Sequence, residues 1–177
     1  MHTETEFNSV VDENGFLFET LIPEQRVSTT SQLTFGVRIT NQTLTPQKFL
    51  LFYLQPIFFR KNDKWKQVAY KGCNVNGTGL PTSVDCQIVS PGDAIDFLVK
   101  GEFFREDNNL LFRYHNKSRE YHFWQHFKPA IHGIQCQYIS PAVGQKAEYT
   151  SLRWVDFEDT WVGKVLTPLV EFQLIDS

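Results

Sequence analysis

Along residues 33–40 apolar and polar positions alternate without a break. Leu33, Phe35, Val37 and Ile39 fall on one side, and Thr34, Gly36, Arg38 and Thr40 on the other. A period of two marks a half-buried strand, because successive side chains leave opposite faces. The segment from Asn41 to Pro46 carries turn residues. Phe49 to Phe59 is apolar on both faces apart from Gln55, which predicts a central strand covered on both sides. These two runs are expected to form the centre of one sheet.

The same reasoning places the other elements. Phe16 to Ile22 reads as a first strand closed by Pro23, and Trp65 to Tyr70 as an edge strand. Gly72 to Ser83 reads as an exposed loop, and Val84 to Val89 as a short strand. Ser90 to Asp93 is a turn, with Pro91 presetting one backbone angle and Gly92 supplying a positive φ. Ala94 to Lys100 alternates with Ile95, Phe97 and Val99 inward. Ile131 to Ile139 puts Ile134, Cys136 and Tyr138 on one face, and Val165 to Ile175 puts Val170, Phe172 and Leu174 inward.

Residues 101–130 break the pattern and read as a long irregular insertion. Within it Leu110 to Tyr114 suits a strand. Ser118 to Lys128 suits a short helix, capped by Ser118 with Phe123 and Phe127 one turn apart. A strand over Tyr121 to Phe127 fits nearly as well. Residues 1–14 read as a flexible N-terminus. The expected fold class is all-β: one domain over residues 15–177, an antiparallel two-sheet immunoglobulin-like β-sandwich interrupted by the insertion.

Composition supports this. The chain has 177 residues, sixteen Phe and an aromatic fraction of 15%, which suits pleated, half-buried surfaces. A domain this size buries about 70% of its unfolded surface and needs no metal or disulfide to fold. The net charge of -3 argues against nucleic acid as a partner. The basic stretch from Arg60 to Lys66 reads as a solvated hairpin guarding a sheet edge. The N-terminus lacks the basic and apolar regions of a signal peptide, and no apolar run reaches membrane-spanning length. A cytoplasmic protein with no membrane contact is the expectation, with Cys73, Cys86 and Cys136 as free thiols. Cys73 and Cys86 flank the 72–83 segment, so a bridge between them stays open as an alternative.

Three pieces carry a resemblance. They are Val37 to Asn41, the turn Val89 to Asp93 leading into an alternating strand, and the late strands Gly133 to Ile139 and Trp161 to Leu174. Together they resemble the immunoglobulin-like sandwich domains of many bacterial proteins, over roughly half the chain in an order that fold allows. They are also loosely similar to the bacterial intracellular proteinase-inhibitor domain. The chain departs from the pattern at Ile134, where a tyrosine corner would place Tyr, and in lacking a strand partner for Cys136. The resemblance implies architecture and leaves activity open.

Candidate chemistry concentrates in aromatics and histidines. His115, His122, His126 and His132 fall within one short stretch. On a helix, His122 and His126 would share a face at metal-chelating spacing. On a strand they would lie about 13 Å apart. Asp156, Glu158 and Asp159 form an acidic segment that suits a hard cation or a solvated loop. Trp124, Phe127, Tyr121, Trp65 and Trp161 are candidate binding residues, because aromatics dominate interface energies and stack on sugars. The leading expectation is a non-catalytic binding or protein-interaction module without a cofactor. The alternatives are a carbohydrate-binding sandwich and a metal-dependent enzyme built on His115 to His132.

Overall fold

The structure, a computed structural model, describes residues 9–75, 79–141 and 157–176. They form fifteen strands and one 3-10 turn. In chain order these are β1 Ser9–Val11, β2 Phe16–Leu21, β3 Arg26–Ser28, β4 Gln32–Asn41, β5 Gln47–Leu50, β6 Tyr53–Lys61, β7 Trp65–Gln67, β8 Ala69–Val75, β9 Cys86–Val89, β10 Ala94–Glu106, β11 Asn109–His115, β12 Glu120–Phe127, β13 Ala130–Ser140, β14 Gly163–Leu166 and β15 Val170–Ile175. The 3-10 turn covers Ser83–Asp85.

One sheet has seven strands in the order β1-β2-β4-β10-β11-β12-β8. A second has the order β3-β15-β13-β6-β7, with β14 alongside β13. Pairing is antiparallel except between β3 and β15. β5 and β9 make a separate two-stranded ribbon. The fold is all-β, with two antiparallel sheets closed over one core in a sandwich-like arrangement. Phe18, Phe35 and Phe112 from the first sheet meet Phe58, Tyr138 and Phe172 from the second, all fully buried or nearly so.

Phe58 stands where the sheets meet. Its ring packs edge-on against Phe112 at 4.9 Å, Phe127 at 5.4 Å and Trp124 at 5.5 Å. Burying each such ring stabilises by about 1.5–3 kcal/mol, and each favourable ring pair adds about 0.5–1.5 kcal/mol. The bulk of Phe112 is accommodated by Gly101 on the neighbouring strand β10, two positions along from its direct partner Phe103, where a Cβ would fall 2.1 Å from the Phe112 ring.

Two tyrosines and a threonine sealed in the core have their hydroxyls paired. The Tyr114 hydroxyl donates to the Leu54 carbonyl at 2.6 Å, and the Tyr138 hydroxyl to the Leu50 carbonyl at 2.9 Å. Both serve the segment where the chain crosses from the ribbon into the second sheet. The buried Thr167 hydroxyl accepts from the Cys136 N–H at 2.9 Å and also meets the Thr20 hydroxyl of the other sheet.

Several expectations are corrected. Residues 33–40 and 49–59 do not share a sheet: β4 lies between β2 and β10, and β6 between β13 and β7. The fully buried Asn41 turns the chain aside. Its amide donates to the carbonyls of Thr45 and Val89, and its oxygen accepts from Thr43. Residues 49–59 are two strands, β5 and β6. They look apolar throughout because Leu50 and Phe52 fill a satellite core with Phe157, while β6 itself alternates. Trp65 to Tyr70 divides at the buried Val68, where the chain leaves β7 in one sheet for β8 in the other. β8 extends to Val75, into the stretch expected to be loop. Val84 and Asp85 belong to the 3-10 turn, so only Cys86 to Val89 is strand. Residues 165–175 are two strands separated at Pro168. Residues 9–11 are strand rather than flexible tail, while 1–8 lie outside the described residues.

The expected irregular insertion is regular. β10 runs on to Glu106 and is followed by β11 and β12, all in the seven-stranded sheet. Residues 118–128 are therefore not helical. Ser118 caps nothing, and its hydroxyl instead reaches Asn116 and Glu120. A bulge also separates Phe123 from Phe127. Between Phe112 and Leu110 the register with β12 slips, and His126 adopts φ 67°. The extra residue turns Phe127 back to the face already occupied by Trp124.

The turn at Ser90 to Asp93 forms as expected, with Gly92 at φ 81° and the Asp93 N–H on the Ser90 carbonyl at 3.0 Å. Phe97 is buried and Leu98 exposed on β10, and Ile134, Cys136 and Tyr138 share the buried face of β13.

Candidate binding face

The outward side chains of β10, β11 and β12 follow from strand parity. With Phe103, Phe112 and Trp124 inward, Phe104, Arg113 and Phe123 must point to solvent. Arg113 lies opposite Glu102 on β10 and opposite Phe123 on β12. Its guanidinium sits over the Phe104 ring at 5.0 Å and the Tyr121 ring at 5.9 Å. Phe104 and Phe123 meet edge-on at 6.4 Å, and His115 stacks on Tyr121 at 4.6 Å. Arg113 is anchored by Glu102 at 2.6 Å, and Lys71 of β8 pairs with Glu106 of β10 at 2.9 Å. Both ion pairs are solvent-exposed, so each is worth at most about 1 kcal/mol. They order the face more than they stabilise the fold.

This ladder ends at a cleft of about 340 Å³ lined by Lys71, Gly72, Asn74, Phe104, Arg113 and Phe123, among others. Gly72 keeps it open. It sits at φ +132° beside the β8–β12 register shift, and none of the described residues lies within 4 Å of where its Cβ would stand. Any other residue there would meet a conformation that L side chains rarely adopt. Among the described residues β8 is the last strand of its sheet, so its outer N–H and C=O groups face away from β12.

The predicted binding residues divide between core and surface. Trp124 (2% exposed), Phe127 (4%) and Trp161 (7%) are core side chains and offer no ring face to a ligand. This corrects the expectation of an interface built on them. Trp161 stacks on Tyr138 at 5.5 Å. Trp65 lies on β7 at the edge of the other sheet, with the Lys61 ammonium 5.3 Å from its ring. Of the five, only Tyr121 belongs to the ladder.

The histidines do not converge. His122 faces inward, stacked on Tyr114 at 5.3 Å. His126 is exposed on the bulge, and His115 lies on the outer face. His132 is fully buried, its two ring nitrogens 3.2 Å and 3.0 Å from the carbonyls of Phe59 and Lys128. Burial pushes its pKa below the ordinary histidine value, against the pull of those two carbonyls. Among the described residues no three His, Cys, Asp or Glu side chains are grouped to hold a metal. Glu158 and Asp159 are exposed and give backbone carbonyls to Lys48 and Gln47. Asp156, Trp154 and residues 76–78 of the glycine-rich stretch lie outside the described residues. None of Cys73, Cys86 and Cys136 is in a disulfide, so the alternative Cys73–Cys86 bridge is not formed.

Phe104, Arg113 and Phe123 were not singled out by the sequence reading. Their signal is parity: large rings and an arginine at the outward positions of strands whose inward positions are already aromatic. It becomes readable only once residues 101–127 are recognised as strands. Among the described residues no helix is long and apolar enough to cross a membrane. No protein-family model matches the chain, and no curated protein matches it in sequence.

Proposed function

We propose that this chain is a non-catalytic binding module, an immunoglobulin-like sandwich of the cytoplasm, that takes up an extended segment of a partner protein along β8. The outward ladder Phe104–Arg113–Phe123, ending at β8, which among the described residues is an edge strand, carries this reading. A free strand edge presents the backbone donors and acceptors that recognise another backbone, and a neighbouring pocket for alternate side chains adds selectivity. The Gly72 cleft is such a pocket. Its two Phe rings suit an apolar side chain, and Lys71 and Asn74 suit a polar neighbour. Arginine and aromatic residues are the usual sources of interface energy.

The ring faces favour protein over carbohydrate. A sugar needs a bare aromatic face, but Arg113 lies over Phe104 and Tyr121, and His115 covers Tyr121. Selection from a displayed library of linear peptides tests the proposal. The expected result is enrichment of sequences with an apolar residue at alternate positions. Binding should be lost in Phe104→Ala and Asn74→Pro with little change in melting temperature. Enrichment of nothing, or binding only to immobilised glycans, would overturn it.

A further inference from the structure

The basic stretch from Arg60 to Lys66 places two cations on the inner side of its sheet. On β6 the buried side chains are Leu54, Pro56 and Phe58, and strand parity sets Arg60 on the same face, where the core ends. Arg60 lies directly opposite the fully buried His132 of β13 on one side and Lys66 of β7 on the other. Directly opposed residues share a face, and like charges so placed destabilise the pair. Lys61, the next residue along, is paired with Glu171 at 2.7 Å. Neither Arg60 nor Lys66 has a carboxylate partner among the described residues.

The chain around these cations makes a cleft. The Val68 N–H donates to the Phe58 carbonyl at 2.8 Å and fixes the point where the chain crosses from β7 into β8 of the other sheet. Facing it, the pairing of β8 with β12 ends at Ala69 and Gln125, just before the bulge at His126. Between them lies a cleft of about 300 Å³ lined by Arg60, Lys66, Gln125 and His126, with Val68 and Ala69 among its walls and no carboxylate among its described lining residues. Arg60 is poorly satisfied there. A guanidinium carries five N–H donors. The described residues give it the His126 carbonyl, 3.4 Å from Nη1, longer than the about 2.7–3.2 Å of a well-made bond. Its Nε is buried with no hydrogen-bond partner among the described residues. Leaving a buried charged donor unmet is costly, so the missing acceptors and the unshielded pair of cations both point to an anion.

We infer that this cleft binds a small, doubly charged oxyanion of the phosphate monoester class, held by Arg60 and Lys66. The two cations match the two charges of the ligand. The planar fork of Arg60 can meet two oxygens of one phosphate, and the Lys66 ammonium acts as a point charge beside it. Gln125 and His126 bring further donors for the remaining oxygens. Val68 and Ala69 give the organic part of the ester an apolar wall. The volume is at the lower end of the about 300–1,000 Å³ of small-molecule sites, so that organic part is short. The site uses none of the residues of the Phe104–Arg113–Phe123 ladder and stands whether or not that face takes up a peptide.

The test is calorimetric titration of the full-length chain with inorganic phosphate and with glycerol 3-phosphate, against chloride at the same ionic strength. Saturable one-site binding of both phosphates is expected, with the ester at least as tight. A hydrogen bond to a charged group is worth about tenfold in affinity. Lys66→Gln should therefore bind both ligands about tenfold more weakly, and Arg60→Gln should not bind them. Lys66 is exposed, so Lys66→Gln keeps the test decisive if the Arg60 variant is unstable. Lys100→Gln removes the same charge from an exposed position on β10 and should bind like the unaltered protein. No heat beyond that of chloride would overturn the proposal. So would equal weakening in Lys66→Gln and Lys100→Gln, which would mark diffuse surface charge, or binding of inorganic phosphate without the ester.

Discussion

The Trp161 indole N–H donates to the Asp12 carboxylate at 2.9 Å, tying residues near the two ends of the described chain together. The other Asp12 oxygen accepts from the backbone N–H of Phe16 at 2.8 Å and of Asn14 at 3.1 Å. One side chain thus shapes the turn between β1 and β2 and satisfies the only polar atom of a core tryptophan. Asp12→Ala is expected to lower unfolding free energy by about 1–3 kcal/mol, the cost of leaving a buried donor without its partner. Urea denaturation followed by tryptophan fluorescence measures this. A change under about 0.5 kcal/mol, typical of a surface position, would show that water replaces the carboxylate at no cost.

Phe58→Ala should be far more damaging. The ring is fully buried and contacts rings from both sheets, including Phe35, Phe112, Trp124, Phe127 and Phe172. A loss of about 3–5 kcal/mol is expected, combining lost transfer energy with the cavity left behind. Phe104→Ala on the solvent face should cost much less. Comparing the two by thermal unfolding separates core from surface aromatics in a chain where composition cannot. Equal losses would mean that the outward ladder is part of the folding core.

His132 and His122 make acid destabilisation predictable in sign. Burial lowers both pKa values in the folded state, so the unfolded chain binds more protons once the pH falls below about 6.5. Their contribution is complete above that pH and is lost as the pH falls towards the folded values. Each group adds up to about 1.4 kcal/mol per pH unit within its window. Equilibrium unfolding between pH 7.5 and 5 should show the decline. It should be shallower in His132→Gln, whose amide can donate to the same two carbonyls without titrating. An unchanged slope in that variant would remove His132 from the account.

What was legible in the sequence was local parity. Residues 33–40, 94–100 and 131–139 alternate, and each forms a strand with the expected residues inward, because the choice of face depends only on neighbours two positions apart. The all-β class followed from repeating that observation.

Sheet membership was decided elsewhere. Nothing between Val37 and Phe58 indicates that their strands lie in opposite sheets. That depends on the Asn41 turn and on the buried crossing at Leu51 and Phe52, which bring together residues distant in the chain. The bulge at His126 is likewise a cross-strand event. By shifting parity once, it sends Phe127 into the core beside Trp124 and leaves Phe123 on the outer face, although the two phenylalanines are four positions apart. Cys73 and His122 are 49 positions apart in sequence and face each other only through strand pairing. Hydrophobic periodicity is a property of the chain itself. Which strands pair, and in what register, is set by the packing of distant residues, and in this protein the candidate face is made by that pairing.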